Sequence, residues 1–160
     1  MTRQAMEPAS MRAGGEVTKR DVEPRAIVPT EHQEQVFLFQ WAEIARGRHP
    51  ELQDLFAIPN AGGYTGGFRQ NVARVAAMKR EGVASGVPDI CLPHARGRYH
   101  ALYVELKRAN ATASDTKPAQ REWHMRLRAA GNCVVVCAGW EAARRTIEEY
   151  LSLTTDQSHV

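Results

Sequence analysis

Two apolar segments joined by a short polar connection constrain the fold more than any other feature of the chain. VPDICLP and YHALYVELK each have the length and the β-branched or aromatic content of a strand, and HARGR lies between them. A connection this short is typical of an antiparallel hairpin. The sequence therefore predicts that residues 87–107 form a hairpin at the centre of a β-sheet.

The second strand of this hairpin carries two charges at its end. Alternate side chains share one face of a strand, so Glu105 and Lys107 point to one side while Val104 and Leu106 point to the other, towards the core. Asp89, at the start of the first strand, can approach Glu105 and Lys107 on their face. An ordinary alternative is a pair of solvated charges at a strand end, together with an aspartate in a turn after proline.

Two carboxylates that converge at strand ends form a hard-oxygen site suited to Mg²⁺ or Mn²⁺. A neighbouring lysine can hold or help to deprotonate a water molecule, or stabilise the negative charge that develops when water attacks a phosphodiester. The order of Pro-Asp, strand, hairpin connection and Glu-x-Lys therefore favours metal-assisted phosphodiester hydrolysis.

The length of 160 residues and the 43% of hydrophobic residues fit one globular domain, predicted over residues 30–152. Residues 1–29 are expected to be disordered or loosely attached, and residues 153–160 to form a flexible tail. No apolar stretch has the length of a signal peptide or a membrane span, which predicts a cytoplasmic protein without a membrane partner.

Neither the net charge nor the cysteines identify a function alone. The formal charge of +3 permits a nucleic-acid partner without requiring one. The cysteines, at positions 91, 133 and 137, form no zinc-ligand spacing and are interpreted as small buried hydrophobes. The histidines show no HxxxH or HExxH spacing, so a histidine-ligated metal is disfavoured.

The periodicity of the remaining chain predicts helices and strands around the hairpin. Thr30 and Gln33 form a capping box before a helix over 31–46, and FRQNVARVAAMKREG, residues 118–130 and WEAARRTIEEYLSL are also predicted to be helical. LFAIP and NCVVVCAG are predicted strands. The order α, β, α, β, β, α, β, α implies an α/β fold whose mixed sheet is covered by helices.

The ordered series IPNAGG, KREGVASGVPDICLP, YVELKR and QREW resembles the VRR-NUC (virus-type replication-repair nuclease) family of the PD-(D/E)XK nuclease superfamily, especially its small standalone phage and bacterial members. The match covers about residues 30–138. The resemblance implies a restriction-endonuclease-like core, a mixed central sheet flanked by helices.

The same resemblance implies a role for each matching position. Asp89 and Glu105 would ligate the divalent metal, with the backbone carbonyl of Leu106 completing the coordination. Lys107 would act on the attacking water or on the transition state. Gln120, in QREW, is expected near the site.

The first helix is expected to supply a further acid to this site. Glu31 matches the family pattern best and would contact the metal directly or through water, with Glu34 as the alternative. An equally good reading of Glu31 is an acid stabilised by the helix N-terminus.

Asn60 matches the family's PNG segment, although Ala61 stands here where the commoner form has glycine, and its alternative role is a structural turn. Basic side chains near the site in sequence are candidates for contacts with the DNA backbone, the alternative being a solvated helix face. These residues are Arg69, Arg74, Lys79, Arg80 and Arg108.

The resemblance therefore implies a Mg²⁺-dependent DNA endonuclease, with Mn²⁺ as a substitute, acting as a homodimer on branched DNA such as four-way junctions. Two alternatives stay open. The same site would serve a flap- or end-acting nuclease or a nickase, and a catalytically silent nucleic-acid-binding module would keep the fold without the reaction.

Overall fold

The computed structural model describes residues 28–59, 68–112 and 115–154, with the backbone alone for residues 68–71. The predicted order of helices and strands is confirmed. In chain order the elements are α1 (Glu31–Ala45), a 3₁₀ helix (Pro50–Asp54), β1 (Phe56–Ala57), α2 (Phe68–Arg80), β2 (Ile90–Leu92), β3 (Leu102–Lys107), α3 (Pro118–Ala129), β4 (Cys133–Ala138) and α4 (Trp140–Ser152). The 3₁₀ helix was not predicted, because so short an element gives no hydrophobic periodicity.

The four strands form one mixed sheet in the order β1-β2-β3-β4. β1 pairs antiparallel with β2, and β2 pairs antiparallel with β3, with Ile90 opposite Val104. β3 and β4 are parallel, and α3 connects them. The predicted hairpin and the predicted mixed sheet flanked by helices are therefore both confirmed.

The capping box at the start of α1 is present as predicted. The Thr30 hydroxyl accepts from the Gln33 backbone N–H at 3.2 Å, and the Gln33 side-chain oxygen accepts from the Thr30 backbone N–H at 2.9 Å. These bonds satisfy two of the backbone donors that a helix N-terminus leaves unpaired. The first turn of α1, which carries Glu31 and Glu34, is thus fixed at its beginning.

The hydrophobic core lies between the sheet and the pair formed by α1 and α4. Leu38 of α1 and Ile147 of α4 are fully buried against Val104 and Leu106 of β3. Because strand side chains alternate, the opposite face of β3 carries Glu105, and α3 covers that face. The central strand is therefore buried on both sides, and only one side is apolar.

α2 differs from its prediction in packing, not in position. Gly82, two residues after the end of the helix, has a positive φ of 95°, a conformation that commonly follows a helix C-terminus. Val72, Val75, Ala76 and Met78 form an apolar stripe at helical spacing, which predicts a face packed against the core. No side chain among residues 72–80 is buried, however, and Val72 is 54% exposed.

Several predictions fall outside the described residues. They concern the glycine-rich loop with Asn60, the side chain of Arg69, residues 1–27 and residues 155–160. Among the helices of the described ranges, none combines the length and the apolar character that crossing a bilayer would require.

Candidate active site

The pairing of β2 with β3 brings Asp89 to the strand that carries the other two predicted site residues. Extending the register by one pair from Ile90–Val104 places Asp89 opposite Glu105, and directly opposed residues share a face of the sheet. The Asp89 side chain accepts a hydrogen bond from the Leu106 backbone N–H at 2.9 Å. Its backbone carbonyl accepts from the Ile58 N–H at 2.7 Å. Asp89 is therefore held by β3 on one side and by the chain that follows β1 on the other.

Glu105 lies at the centre of the cluster, with no solvent-exposed surface. Its Oε1 accepts hydrogen bonds from Lys107 Nζ, at 2.8 Å, and from Gln120 Nε2. Its Oε2 is buried without a hydrogen-bond partner among the described residues, 3.5 Å from His124 Nε2. One carboxylate oxygen is thus fixed by two donors while the other keeps its lone pairs unused.

The first turn of α3 positions Gln120 against Glu105. The Gln120 side-chain oxygen accepts from the Lys117 backbone N–H at 2.8 Å, so it caps the helix, while its amide nitrogen donates to Glu105. Gly86 permits this approach: its φ is +86°, and a Cβ there would lie 2.8 Å from the Ala119 carbonyl group. Any larger residue would collide with this turn.

The charge state of Glu105 reflects its burial. Loss of hydration raises the pKa of Glu105, and the negative charge of Glu31 adds to the rise. The hydrogen bond from Lys107, the charge of Lys107 and an interaction with Asp89 lower this pKa in part. Burial alone would lower the pKa of Lys107, but the hydrogen bond and charge of Glu105, followed by the charges of Glu31 and Asp89, raise it above its usual value. The cluster therefore favours a Lys107 ammonium group surrounded by carboxyl groups.

The two acids in the first turn of α1 have different environments. Glu34 is 1% exposed, and its carboxylate accepts from the backbone N–H groups of Ala109, at 3.3 Å, and Trp140, at 2.9 Å. It therefore ties the ends of β3 and β4 to α1. Glu31 is exposed, and its charge acts on both Glu105 and Lys107.

Comparisons with known proteins identify the family of the chain. The family model of the VRR-NUC domain matches residues 31–141, which span every element from α1 to the start of α4. The chain belongs to the VRR-NUC family. A solved structure described as "VRR_NUC domain protein" is 28% identical, with a TM-score of 0.62 over 81% of this chain and 93% of that chain. A search of curated proteins gave no match. Membership implies a nuclease of the PD-(D/E)XK type, for which DNA is the substrate.

His124 lies in this candidate cluster, and its place there was not predicted from the sequence. It is 3% exposed on α3, one turn after Gln120. Burial has the largest effect in lowering the pKa of His124, and the positive charges of Arg128 and Lys107 lower it further. The neutral imidazole is therefore favoured. A search for metal-ligand spacing passes over a single histidine, and the signal that would have found it is its i, i+4 relation to Gln120.

The structure describes the side chains of four of the predicted DNA-binding residues. Arg108 donates to the backbone carbonyls of Pro29, at 3.2 Å, and Val28, at 3.4 Å, and so holds the segment before α1. The three basic residues of α2 whose side chains are described are all exposed: Arg74, Lys79 and Arg80.

Proposed function

We propose that this VRR-NUC chain is a divalent-metal-dependent DNA endonuclease that uses Mg²⁺ and accepts Mn²⁺. The observation that carries the proposal is the unpartnered Oε2 of Glu105, buried on the face of β3 that Asp89 also approaches. A buried carboxylate oxygen without a donor is costly unless a cation satisfies it. Two hard-oxygen ligands of this kind are what Mg²⁺ takes from proteins, with water and substrate oxygens completing its shell.

The residues present fit such an ion as an open site rather than a closed cage. Within the described residues no group of three or more histidine, cysteine, aspartate or glutamate side chains could hold a metal by itself. We assign Asp89 and Glu105 as direct ligands and the Leu106 carbonyl as a further one. Glu31 would contribute through a bound water, since it is exposed while its charge reaches Glu105 and Lys107.

A bound Mg²⁺ ion supplies an activated water molecule and stabilises charge on a phosphoryl oxygen. The side chains of the protein orient and stabilise the reacting groups. Lys107 donates from a charged ammonium group towards the attacking water and the phosphodiester oxygens, where negative charge develops. Gln120 holds Glu105 Oε1 and leaves Oε2 for the ion. Asn60, Arg69, Arg74, Lys79, Arg80 and Arg108 are proposed contacts to DNA.

We extend the proposal to substrate shape: branched DNA such as a four-way junction, cut by a homodimer. Cutting two strands of a symmetric junction requires two active sites related by a two-fold axis, and one small chain supplies one site. Flap- or end-directed cleavage and nicking would use the same residues, so the choice of DNA separates these activities.

The proposal is tested by incubating the purified protein with linear, flapped and four-way-junction DNA in Mg²⁺, Mn²⁺ or EDTA. Asp89→Asn and Lys107→Met are expected to lose metal-dependent cleavage, because each removes a charge while nearly keeping the side chain's size. Asp54→Asn is the matched control, since Asp54 contacts His94 at 2.8 Å away from the site. Cleavage that persists in both site variants would refute the assignment, and binding without cleavage by the unmodified protein would favour the silent module.

A further inference from the structure

A cavity lined by two arginines lies away from the carboxylates, at the other end of α3. This cavity, of about 310 Å³, opens between the last turn of α3, the start of β4 and the loop that joins β2 to β3. Arg128 and Arg98 both line it, together with Tyr99 and Asn132. None of its lining residues is acidic.

The two arginines are held by neutral groups. Arg128 donates to the backbone carbonyl of Val134 at 2.7 Å, and the Arg98 guanidinium lies 5.3 Å from the centre of the Tyr99 ring and 3.4 Å from its hydroxyl. Across the described ranges of the chain, neither guanidinium forms an ion pair with a carboxylate. Two positive charges therefore face one cavity without compensation, an arrangement that favours an anion.

A neighbouring arginine shows that not every arginine of α3 is without a carboxylate partner. Arg126 pairs with Glu122 at 3.8 Å and lies over the Trp123 ring at 4.3 Å. It has the same charge on the same helix but does not line the cavity. Arg126 is therefore a natural control for Arg128.

The separation of Gln120 and Arg128 along α3 would let one DNA strand reach both the carboxylates and the cavity. Gln120 contacts Glu105 from the first turn of α3, and Arg128 follows eight residues later, about 12 Å along the helix. Successive phosphates of one DNA strand advance by about 3.4 Å along the duplex axis. A duplex that runs along α3 with its scissile phosphate at Glu105 would thus bring a phosphate three or four nucleotides away level with the cavity.

We infer that the Arg98–Arg128 cavity binds a backbone phosphate of the DNA substrate, about four nucleotides from the bond that is cut. This inference rests on the proposed nuclease function and deepens it. The guanidinium forks suit phosphate oxygens, and no base-specific contact is needed. The site would fix the register of one DNA arm relative to Glu105, so a substrate too short on that side would bind more weakly.

The test measures DNA binding in EDTA, so that it does not depend on cleavage. The slope measured is that of the logarithm of the DNA-binding constant against the logarithm of the salt concentration. The double variant Arg98→Ala with Arg128→Gln should lower the magnitude of this slope by about 1, whereas Arg126→Ala should leave the slope unchanged. DNA is then shortened, on one side of the cut and then on the other, from about ten to about two nucleotides. Shortening one side should weaken binding by the unmodified protein and have little further effect on the double variant.

Three results would overturn the inference. The first is an unchanged salt slope in a folded double variant, and the second is an equal effect of shortening on both proteins. The third is binding of a free mononucleotide that the double substitution abolishes while DNA binding is unaffected, which would assign the cavity to a small ligand. Failure of the nuclease proposal is distinguishable, because it would appear as absent cleavage while the slope and length effects remained.

Discussion

Asp89 accepts a hydrogen bond from the backbone N–H of Leu106, the residue between Glu105 and Lys107. One aspartate thus has a structural contact with β3 and, in the proposed mechanism, a metal contact in the same cluster. The two roles are separable by substitution, because an amide oxygen can accept the same hydrogen bond but carries no charge.

Asp89→Asn and Asp89→Ala should therefore differ in stability and agree in activity. Without metal, Asp89→Asn should unfold close to the unmodified protein, whereas Asp89→Ala should lose about 1 kcal/mol from the missing hydrogen bond. Adding Mg²⁺ should raise the melting temperature of the unmodified protein but of neither variant, because binding to the folded state stabilises it. Calorimetry with and without Mg²⁺ measures both effects. A Mg²⁺-dependent rise retained by Asp89→Asn would contradict the metal assignment.

Gly86 should be intolerant of even the smallest side chain. A methyl group there would lie 2.8 Å from the Ala119 carbonyl at a φ of +86°, so Gly86→Ala must displace the first turn of α3 or strain the backbone. Displacement of that turn moves Gln120 away from Glu105. We expect a lower melting temperature and loss of cleavage. Gly82→Ala is the control: its φ is also positive, but nothing lies within 4 Å, so it should lose stability with little loss of cleavage by the folded protein.

The fold was predictable from the sequence because its elements have strong local signals. Capping at Thr30, the strand alternation of residues 99–107 and the short connection before it determine helices and strands without tertiary information. The 3₁₀ helix at Pro50–Asp54 lacks such a signal and was not predicted. The packing of α2 was not predictable, because an apolar stripe shows which face could be buried and not whether a partner covers it.

The candidate site was predictable only in part, for a related reason. Strand alternation and the hairpin suggested that Asp89 and Glu105 share a face, since both follow from local geometry. The contact of Gln120 with Glu105, by contrast, depends on how α3 packs against the sheet, and Gln120 was expected near the site only from the family resemblance. His124 shares this dependence and was missed. Burial of Glu105 and Lys107 shows that the reading as solvated strand-end charges is wrong.

The two acids of α1 should separate stability from catalysis. Glu34→Gln places an amide between two backbone N–H donors, so at least one hydrogen bond is lost in a buried position, at a cost of about 1–3 kcal/mol. Glu31→Gln changes an exposed side chain and should alter the free energy of unfolding by less than about 0.5 kcal/mol. Under the proposed mechanism Glu31→Gln slows cleavage, because a charge acting on the site is removed. Urea unfolding and cleavage rates are measured on both variants. A large loss of stability in Glu31→Gln, together with slower cleavage and unchanged stability in Glu34→Gln, would refute the assignment.

Tyr150 gives a pH prediction that is independent of the active site. Its hydroxyl donates to the His94 carbonyl at 2.6 Å, and burial raises the pKa of Tyr150 to about 12. In the unfolded chain that pKa is about 10, so both states keep the proton below pH 10 and the stabilisation is then complete. Between about pH 10 and 12 only the unfolded state releases it, and the free energy of unfolding falls by up to about 1.4 kcal/mol per pH unit.

Tyr150→Phe removes both the hydrogen bond and this ionisation. Near neutral pH the variant should be less stable by about 1 kcal/mol. Above pH 10 the difference between the two proteins should shrink, because the unmodified protein loses a contribution that the variant lacks. Urea unfolding at a series of pH values measures this difference, and a gap that stayed constant to pH 11.5 or widened would show that burial does not hold the Tyr150 proton.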